Sequence, residues 1–280
     1  MPENPLPNLI VIGAMKCGTS SLHYNLNLHP EIAMTREKEL HFFSHESKWE
    51  RGTSWYRSQF PTGSTWRGES SPSYTRAPDD RTAARMCQVV PGARLVYIVR
   101  NPIERIISHY VQNVSNGTER RSIGRAVSDS ETSDYLLRSR YHFQLSQFLR
   151  HFPESQIHVL TLEDLHKDPD KAMAGIFRFL DVDDGFSSPE FSVVRHKSSD
   201  KGKKNRAGRL LKRLSNTKAA RLVPTDTRMR LGSLLYKPFS KKMERPEIDP
   251  KIRQDLQAYL EEDIAKLEDQ TGLDLGHWRV

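Results

Sequence analysis

Apolar positions recur with two different periods along this chain. Leu9-Ile10-Val11-Ile12 and Leu95-Val96-Tyr97-Ile98-Val99 are unbroken β-type runs, Ile157–Leu160 is a third, and a shorter strand is expected near Trp66–Glu69. Unbroken runs of this length belong to strands buried on both faces. Between them the spacing turns helical, over Ser20–Leu28, Asp80–Val89, Ile103–Val114, Tyr135–His151, Pro169–Leu180 and Pro250–Gln270. The last carries every start and stop signal. Asp249-Pro250 opens it, Ile252, Leu256, Leu260, Ile264 and Leu267 recur on one side, and Gly272 closes it. Strands that alternate with helices predict an α/β fold of three layers, a central parallel sheet flanked by helices.

The bulk numbers narrow this little. A chain of 280 residues is expected to form one domain over 1–280, and the hydrophobic fraction of 36% fits a globular protein. The net charge of +8 is unevenly spread. Arg195, Lys197, Lys201, Lys203, Lys204, Arg206, Arg209, Lys212, Arg213, Lys218 and Arg221 are offset only by Asp200. Residues 194–245 therefore read as a basic insertion or mobile lobe within the domain, either a solvated face or a polyanion site. No aromatic residues interleave with these charges as nucleic-acid binding asks, so no nucleic acid is expected as a partner. Two cysteines, Cys17 and Cys87, make no disulfide framework and no Cys/His spacing forms a zinc site, so no metal is expected. Met1-Pro2-Glu3-Asn4-Pro5 lacks a basic leader and the apolar run behind it is short. No membrane anchor and a cytoplasmic location are the expectation.

Chemistry concentrates in Gly13-Ala14-Met15-Lys16-Cys17-Gly18-Thr19-Ser20-Ser21, between the first strand and the first helix. Strand, glycine turn and helix start form a phosphate cradle, with inward N–H groups and the positive end of a helix. The nucleotide P-loop reads G-x-x-x-x-G-K-[ST]. Gly13 and Gly18 keep that glycine spacing, but the lysine stands inside the loop at Lys16 and none follows Gly18. The residue that reaches a γ-phosphate is thus missing, while a cation faces the innermost phosphate. The central strand, in turn, runs into Arg100-Asn101-Pro102, where a P-loop triphosphatase carries an aspartate for Mg²⁺. An arginine at the carboxyl end of a parallel strand points into the ligand crevice, and its planar fork suits phosphate. Ser108 lies further along the same helix, within reach of the same anion. Two separate phosphate sites fit a nucleotide with 5′ and 3′ phosphates better than ATP.

These residues are part of an ordered set. The donor loop is followed by Leu28-His29-Pro30, then by Lys38-Glu39-Leu40-His41-Phe42-Phe43, Trp55-Tyr56 with Phe60-Pro61, and Gly68-Glu69-Ser70-Ser71-Pro72-Ser73-Tyr74. Val99-Arg100-Asn101-Pro102 comes next with Arg105 and Ser108-His109-Tyr110, and Pro246-Glu247-Ile248-Asp249-Pro250 precedes the last helix and Trp278. In this order the chain resembles the PAPS-dependent sulfotransferases, in the branch of the heparan sulfate enzymes and their soluble bacterial relatives (PAPS is 3′-phosphoadenosine 5′-phosphosulfate).

The resemblance implies transfer of a sulfuryl group to a hydroxyl or amine of a saccharide or small-molecule acceptor, with release of adenosine 3′,5′-bisphosphate. It implies that Lys16 contacts the 5′-phosphate and the oxygen bridging to sulfur. Cys17, Gly18, Thr19, Ser20 and Ser21 complete that donor loop, and Arg100 with Ser108 holds the 3′-phosphate. Glu39 becomes the candidate general base, with His41 as its assistant or as the base itself. Cys17 is expected to pack within the loop rather than act as a nucleophile. The chain also departs from the family. Ser70 stands where glycosaminoglycan members often carry lysine, and their lysine-glycine loop over the nucleotide has two possible substitutes, Lys201–Lys204 and Lys241-Lys242. A P-loop kinase and a polyanion-binding protein are the alternative readings.

Overall fold

The computed structural model describes residues 5–76, 78–128, 133–193, 202–204, 240–242 and 245–279. Its strands are β1 (Leu9–Gly13), β2 (Ile32–Met34), β3 (Trp66–Ser70), β4 (Arg94–Val99), β5 (Ile157–Thr161), β6 (Gly202–Lys204) and β7 (Ser240–Lys242). The α-helices are α1 (Thr19–Leu26), α2 (Glu46–Trp49), α3 (Gly52–Arg57), α4 (Arg81–Val89), α5 (Pro102–Asn116) and α6 (Ile123–Val127). They continue with α7 (Asp134–Leu137), α8 (Tyr141–Leu149), α9 (Leu162–Lys167), α10 (Pro169–Leu180) and α11 (Pro250–Thr271).

The apolar runs form the middle of a five-stranded sheet in the order β2-β3-β1-β4-β5, with every pair parallel. Leu9–Ile12 and Leu95–Val99 are wholly buried, which explains why both read as continuous rather than alternating. From β1 the chain crosses toward β2, and from β4 it crosses toward β5. The two connections diverge, so a crevice opens between the carboxyl ends of β1 and β4. The glycine loop and Arg100 both lie there. The expected fold class holds, with helices on a central parallel sheet.

Several boundaries differ from the sequence expectation, each for a local reason. Helix α1 stops at Leu26 rather than Leu28, because the Asn27 side chain turns to accept the Met34 N–H at 2.9 Å. The helix expected over Tyr135–His151 is broken into α7 and α8. Arg105, fully buried, donates to the Tyr135 carbonyl at 2.5 Å and to Ser139 Oγ at 2.6 Å, while Ser139 N–H turns to Leu136. That carbonyl is therefore withdrawn from a continuing helix. Helix α8 is then restarted from outside, as Asp263 on α11 accepts the N–H groups of His142 and Phe143 at 3.0 and 2.9 Å. Strand β2 has three residues and left no readable period. Most of the basic stretch 194–245 lies outside the described residues. Within it, β6 and β7 pair antiparallel, with Lys203 opposite Lys241, and β6 lies against α5.

The glycine loop is closed by packing as well as by its own turns. Gly18 has φ 88°, and a Cβ there lies 2.5 Å from Leu162 Cδ1, at the start of α9. A Cβ on Gly13 overlaps Thr75 Oγ1 and comes within 3.1 Å of Tyr97. Substituting Gly18→Ala is expected to cost at least about 1 kcal/mol from the left-handed backbone alone. The overlap with Leu162 adds to that cost, so chemical denaturation of the variant should show a lowered midpoint.

Candidate functional site

At the end of β1 the backbone is tied across the crevice, with Ala14 N–H donating to the Ile98 carbonyl at 2.6 Å. Helix α1 then begins at Gly18 with no side-chain cap. Its first N–H groups have no intrahelical acceptor and lie at the positive end of the helix. Lys16 stands within this turn in a left-handed conformation, φ 74°. Its carbonyl accepts from Arg100 Nη1 at 3.3 Å, so the two predicted phosphate cations are linked directly. Arg100 Nη2 is 3.4 Å from Glu104, which Arg245 also contacts, and Arg100 Nε is buried with no protein partner. Ser108 is buried on α5, and the Asn101 side chain caps that helix by accepting from Ile103 and Glu104.

Cys17 is the exception within the predicted donor set. Its N–H donates to the Ala14 carbonyl at 3.2 Å, and its buried Sγ lies 3.5 Å from the Tyr141 hydroxyl. Burial pushes the thiol up to about 11, so it stays protonated. The structure turns both groups of Cys17 inward, as packing rather than as phosphate donors.

On the opposite wall, Leu40, Phe42 and Phe43 are buried and leave Glu39 and His41 facing outward. Phe42 stacks on Tyr56 at 4.2 Å between ring centroids, and Phe43 meets the same ring edge-on. This anchoring sustains two more left-handed residues, Glu39 with φ 68° and His41 with φ 56°. The described residues hold only four non-glycine residues at positive φ, and three of them are Lys16, Glu39 and His41. Such conformations persist where the surroundings over-determine them, as at sites of chemistry.

Lys38 joins the two walls. Its Nζ donates to Thr19 Oγ1 of the donor loop at 3.4 Å and to Glu39 Oε1 at 2.8 Å. Glu39 Oε2 in turn lies 3.7 Å from His41 Nε2, and His41 Nδ1 is 2.7 Å from Ser73 Oγ. Burial raises the Glu39 carboxyl, but the Lys38 ammonium, with His41 and Lys16, outweighs it and leaves the group below the usual glutamate value. Burial, reinforced by His45 stacked beside it, lowers His41 to about 4 against the pull of Glu39. At neutral pH the pair is an anionic carboxylate beside a neutral imidazole, and both can accept a proton.

Sequence reasoning missed the second layer behind this wall. Ser71 Oγ accepts the His41 N–H at 3.0 Å, and the Ser70 carbonyl accepts the Glu39 N–H at 3.0 Å. Ser70 Oγ bonds His23 Nδ1 at 2.9 Å, while His23 Nε2 lies 3.1 Å from the Thr35 carbonyl. The carbonyl requires a donor, so His23 is protonated on Nε2 and accepts from Ser70. Burial, reinforced by Lys38, lowers its value to about 4. Thus Ser70, the departure from the lysine of the glycosaminoglycan members, is spent on bracing α1. The only sequence signal was a glutamate set among serines at a strand end. The two candidate substitutes for the lysine-glycine loop also meet, since β6 and β7 are one paired ribbon. Lys201 lies outside the described residues.

Fold and site together define an α/β protein whose glycine loop after β1 faces the Lys38–His41 segment. Residues 6–268 match the family model described as Sulfotransferase domain, and the chain belongs to that family. It is 30% identical over 216 residues to a bifunctional heparan sulfate N-deacetylase/N-sulfotransferase 1 of Caenorhabditis briggsae, covering 69% of this chain and 24% of the relative. It is 30% identical over 252 residues to heparan sulfate glucosamine 3-O-sulfotransferase 3B1 of Mus musculus, covering 85% of this chain and 62% of that protein. The chain therefore spans between about a quarter and three-fifths of these relatives. Its fold matches a sulfotransferase structure from Alicyclobacillus acidocaldarius with a TM-score of 0.70, at 24% identity over 99% of this chain and 100% of that one. Among the described residues no helix is long and apolar enough to cross a membrane.

The histidines set a pH response. His23, His41 and His158 are each lowered to about 4, first of all by burial. The unfolded chain therefore binds more protons than the folded one between about pH 6.5 and 4. Stability should be full above that window and fall as the pH drops through it. Melting temperatures measured from pH 7.5 to 4.5 should decrease steadily; a flat profile contradicts the neutral assignment.

Proposed function

We propose that this chain transfers a sulfuryl group from PAPS to a hydroxyl or amine of a saccharide or small-molecule acceptor by in-line displacement, releasing adenosine 3′,5′-bisphosphate. The observation that carries the reading is Lys38, which holds Thr19 of the donor loop and Glu39 of the opposite wall in one contact chain. A proton acceptor thus stands beside the place where the phosphate loop presents its ligand. Family membership supports the same reaction.

The residues present fit the donor. Arg100 keeps a buried Nε without a protein partner, and the first turn of α1 is uncapped. In this reading the loop amides, Thr19, Ser20, Ser21 and Lys16 hold the 5′ end, and Arg100 with Ser108 holds the 3′-phosphate. PAPS supplies a sulfuryl group and a leaving group whose negative charge grows as the S–O bond breaks. Lys16 is the fixed cation for that charge and stabilises the transition state more than the ground state. Glu39 takes the proton of the attacking acceptor, with His41 as partner or alternative acceptor. The reading assigns no metal, since Lys16, the amides and Arg100 provide the positive charge. The β6–β7 ribbon, packed against α5, is the candidate cover for the nucleotide. Two free cysteines accord with the reducing, cytoplasmic compartment assigned to it.

Two sets of variants test the roles. Lys16→Ala should lower turnover by about 10²–10³-fold, the scale of losing one transition-state charge partner. Glu39→Gln should lower turnover by roughly 10²–10⁴-fold with bisphosphate affinity nearly intact; unchanged turnover removes it from the base role. Calorimetry should show Arg100→Ala binding adenosine 3′,5′-bisphosphate more weakly, and equal affinity refutes the 3′-phosphate assignment. Thermal stabilisation by the bisphosphate but not by Mg-ATP separates this reading from a kinase.

A further inference from the structure

The motif at the end of β3 contains a carboxylate that the reaction does not use. Glu69 is wholly buried and paired in the sheet opposite Ile10, and among the described residues no cation lies in hydrogen-bond contact with it. Three hydroxyls converge on it instead. Tyr56 and Tyr74 donate to Oε1 at 2.9 and 2.5 Å, and Ser71 donates to Oε2 at 2.6 Å. Burial raises the Glu69 carboxyl, and the three hydroxyls act against that while satisfying both of its oxygens, as a buried polar group requires.

Tyr56 and Tyr74 meet the base-bearing loop through the rings of Phe42 and Phe43, whereas Ser71 is the partner whose hydroxyl bonds His41 itself. With its proton committed to Glu69, the Ser71 oxygen presents a lone pair to the His41 N–H at 3.0 Å. Ser71 itself is fixed by its N–H to the Val11 carbonyl at 3.1 Å, inside the sheet. The contact lands on one of the two left-handed residues that place Glu39 and His41 side by side. We propose that Glu69, acting through the Ser71 hydroxyl, is the positioning residue that sets the Glu39–His41 pair against the donor loop. This rests on the reading of that pair as the proton-accepting group.

Two truncations on the same carboxylate separate positioning from stability. Tyr56→Phe removes one hydroxyl from Oε1, leaves Tyr74 there, and keeps the ring stacked on Phe42. Ser71→Ala removes one hydroxyl from Oε2 and cuts the tie to His41. Both should lower the melting temperature. Ser71→Ala alone should lower kcat roughly ten- to hundredfold, the scale of a misplaced reacting group, with bisphosphate affinity retained and the acid limb of the kcat profile displaced. Tyr56→Phe should keep turnover and its pH profile close to the parent.

Turnover that tracks melting temperature equally in both variants overturns the proposal and leaves Glu69 as a purely structural group. Should Ser71→Ala fail to bind the bisphosphate, Glu69→Gln decides. Its amide donates to the Ser71 oxygen and competes with the His41 N–H, so parent-like turnover rejects the positioning role and a fall at retained affinity supports it. Glu39→Gln assayed alongside keeps the two claims apart. If it loses turnover while Ser71→Ala does not, only the positioning role fails; if it keeps turnover, the base reading fails first.

Discussion

Between the carboxyl ends of β1 and β4 the chain has no room for a side chain at two places, and the site depends on that. Gly13 abuts Thr75 and Tyr97, and Gly18 abuts Leu162 while turning with positive φ. These approaches let a loop five residues long return from β1 into α1 and carry the uncapped helix start into the crevice. The Ala14 to Ile98 bond and the Lys16 carbonyl to Arg100 contact then lock the loop to the neighbouring strand. Lys16 and Arg100 are thus positioned by backbone packing, and in the proposed reaction that placement needs no reorganisation as charge develops.

The Lys38–Phe43 wall is built on a different principle. Phe42 and Phe43, buried against Tyr56 just after His41, anchor the segment, and the buried Glu69 carboxyl reaches His41 through the Ser71 hydroxyl. Its electrostatics follow from that burial. Lysine side chains hold Glu39 ionised, while desolvation keeps His41 and His23 neutral. One histidine stays available as a proton acceptor and the other becomes a neutral strut between α1 and Ser70. Similar downward shifts thus leave one histidine half-buried beside Glu39 and tie the other into the architecture.

Strands and helices were legible where a single period ran long enough, as in β4, α10 and α11. They were illegible where a distant residue decided the local outcome. Arg105 takes a carbonyl from α7, and Asp263 caps α8 across the structure. The turn from β1 into α1 was readable because glycine spacing and strand-to-helix order are local. Cys17 belonged to that loop by position, yet its side chain followed the apolar interior toward Tyr141.

The sequence by itself determined the parallel α/β order, the glycine loop with its internal lysine, the arginine ending the central strand, and which residues are the candidates for a base. Those features depend on residue type and short spacing, which a linear chain displays. Only the tertiary structure decided that Lys38 spans the crevice, that Ser70 serves His23, and that Glu69 reaches His41 through Ser71. The physical reason is range: these contacts join segments 19 to 47 residues apart, or pass through a side-chain hydroxyl whose partner is fixed only when the sheet assembles.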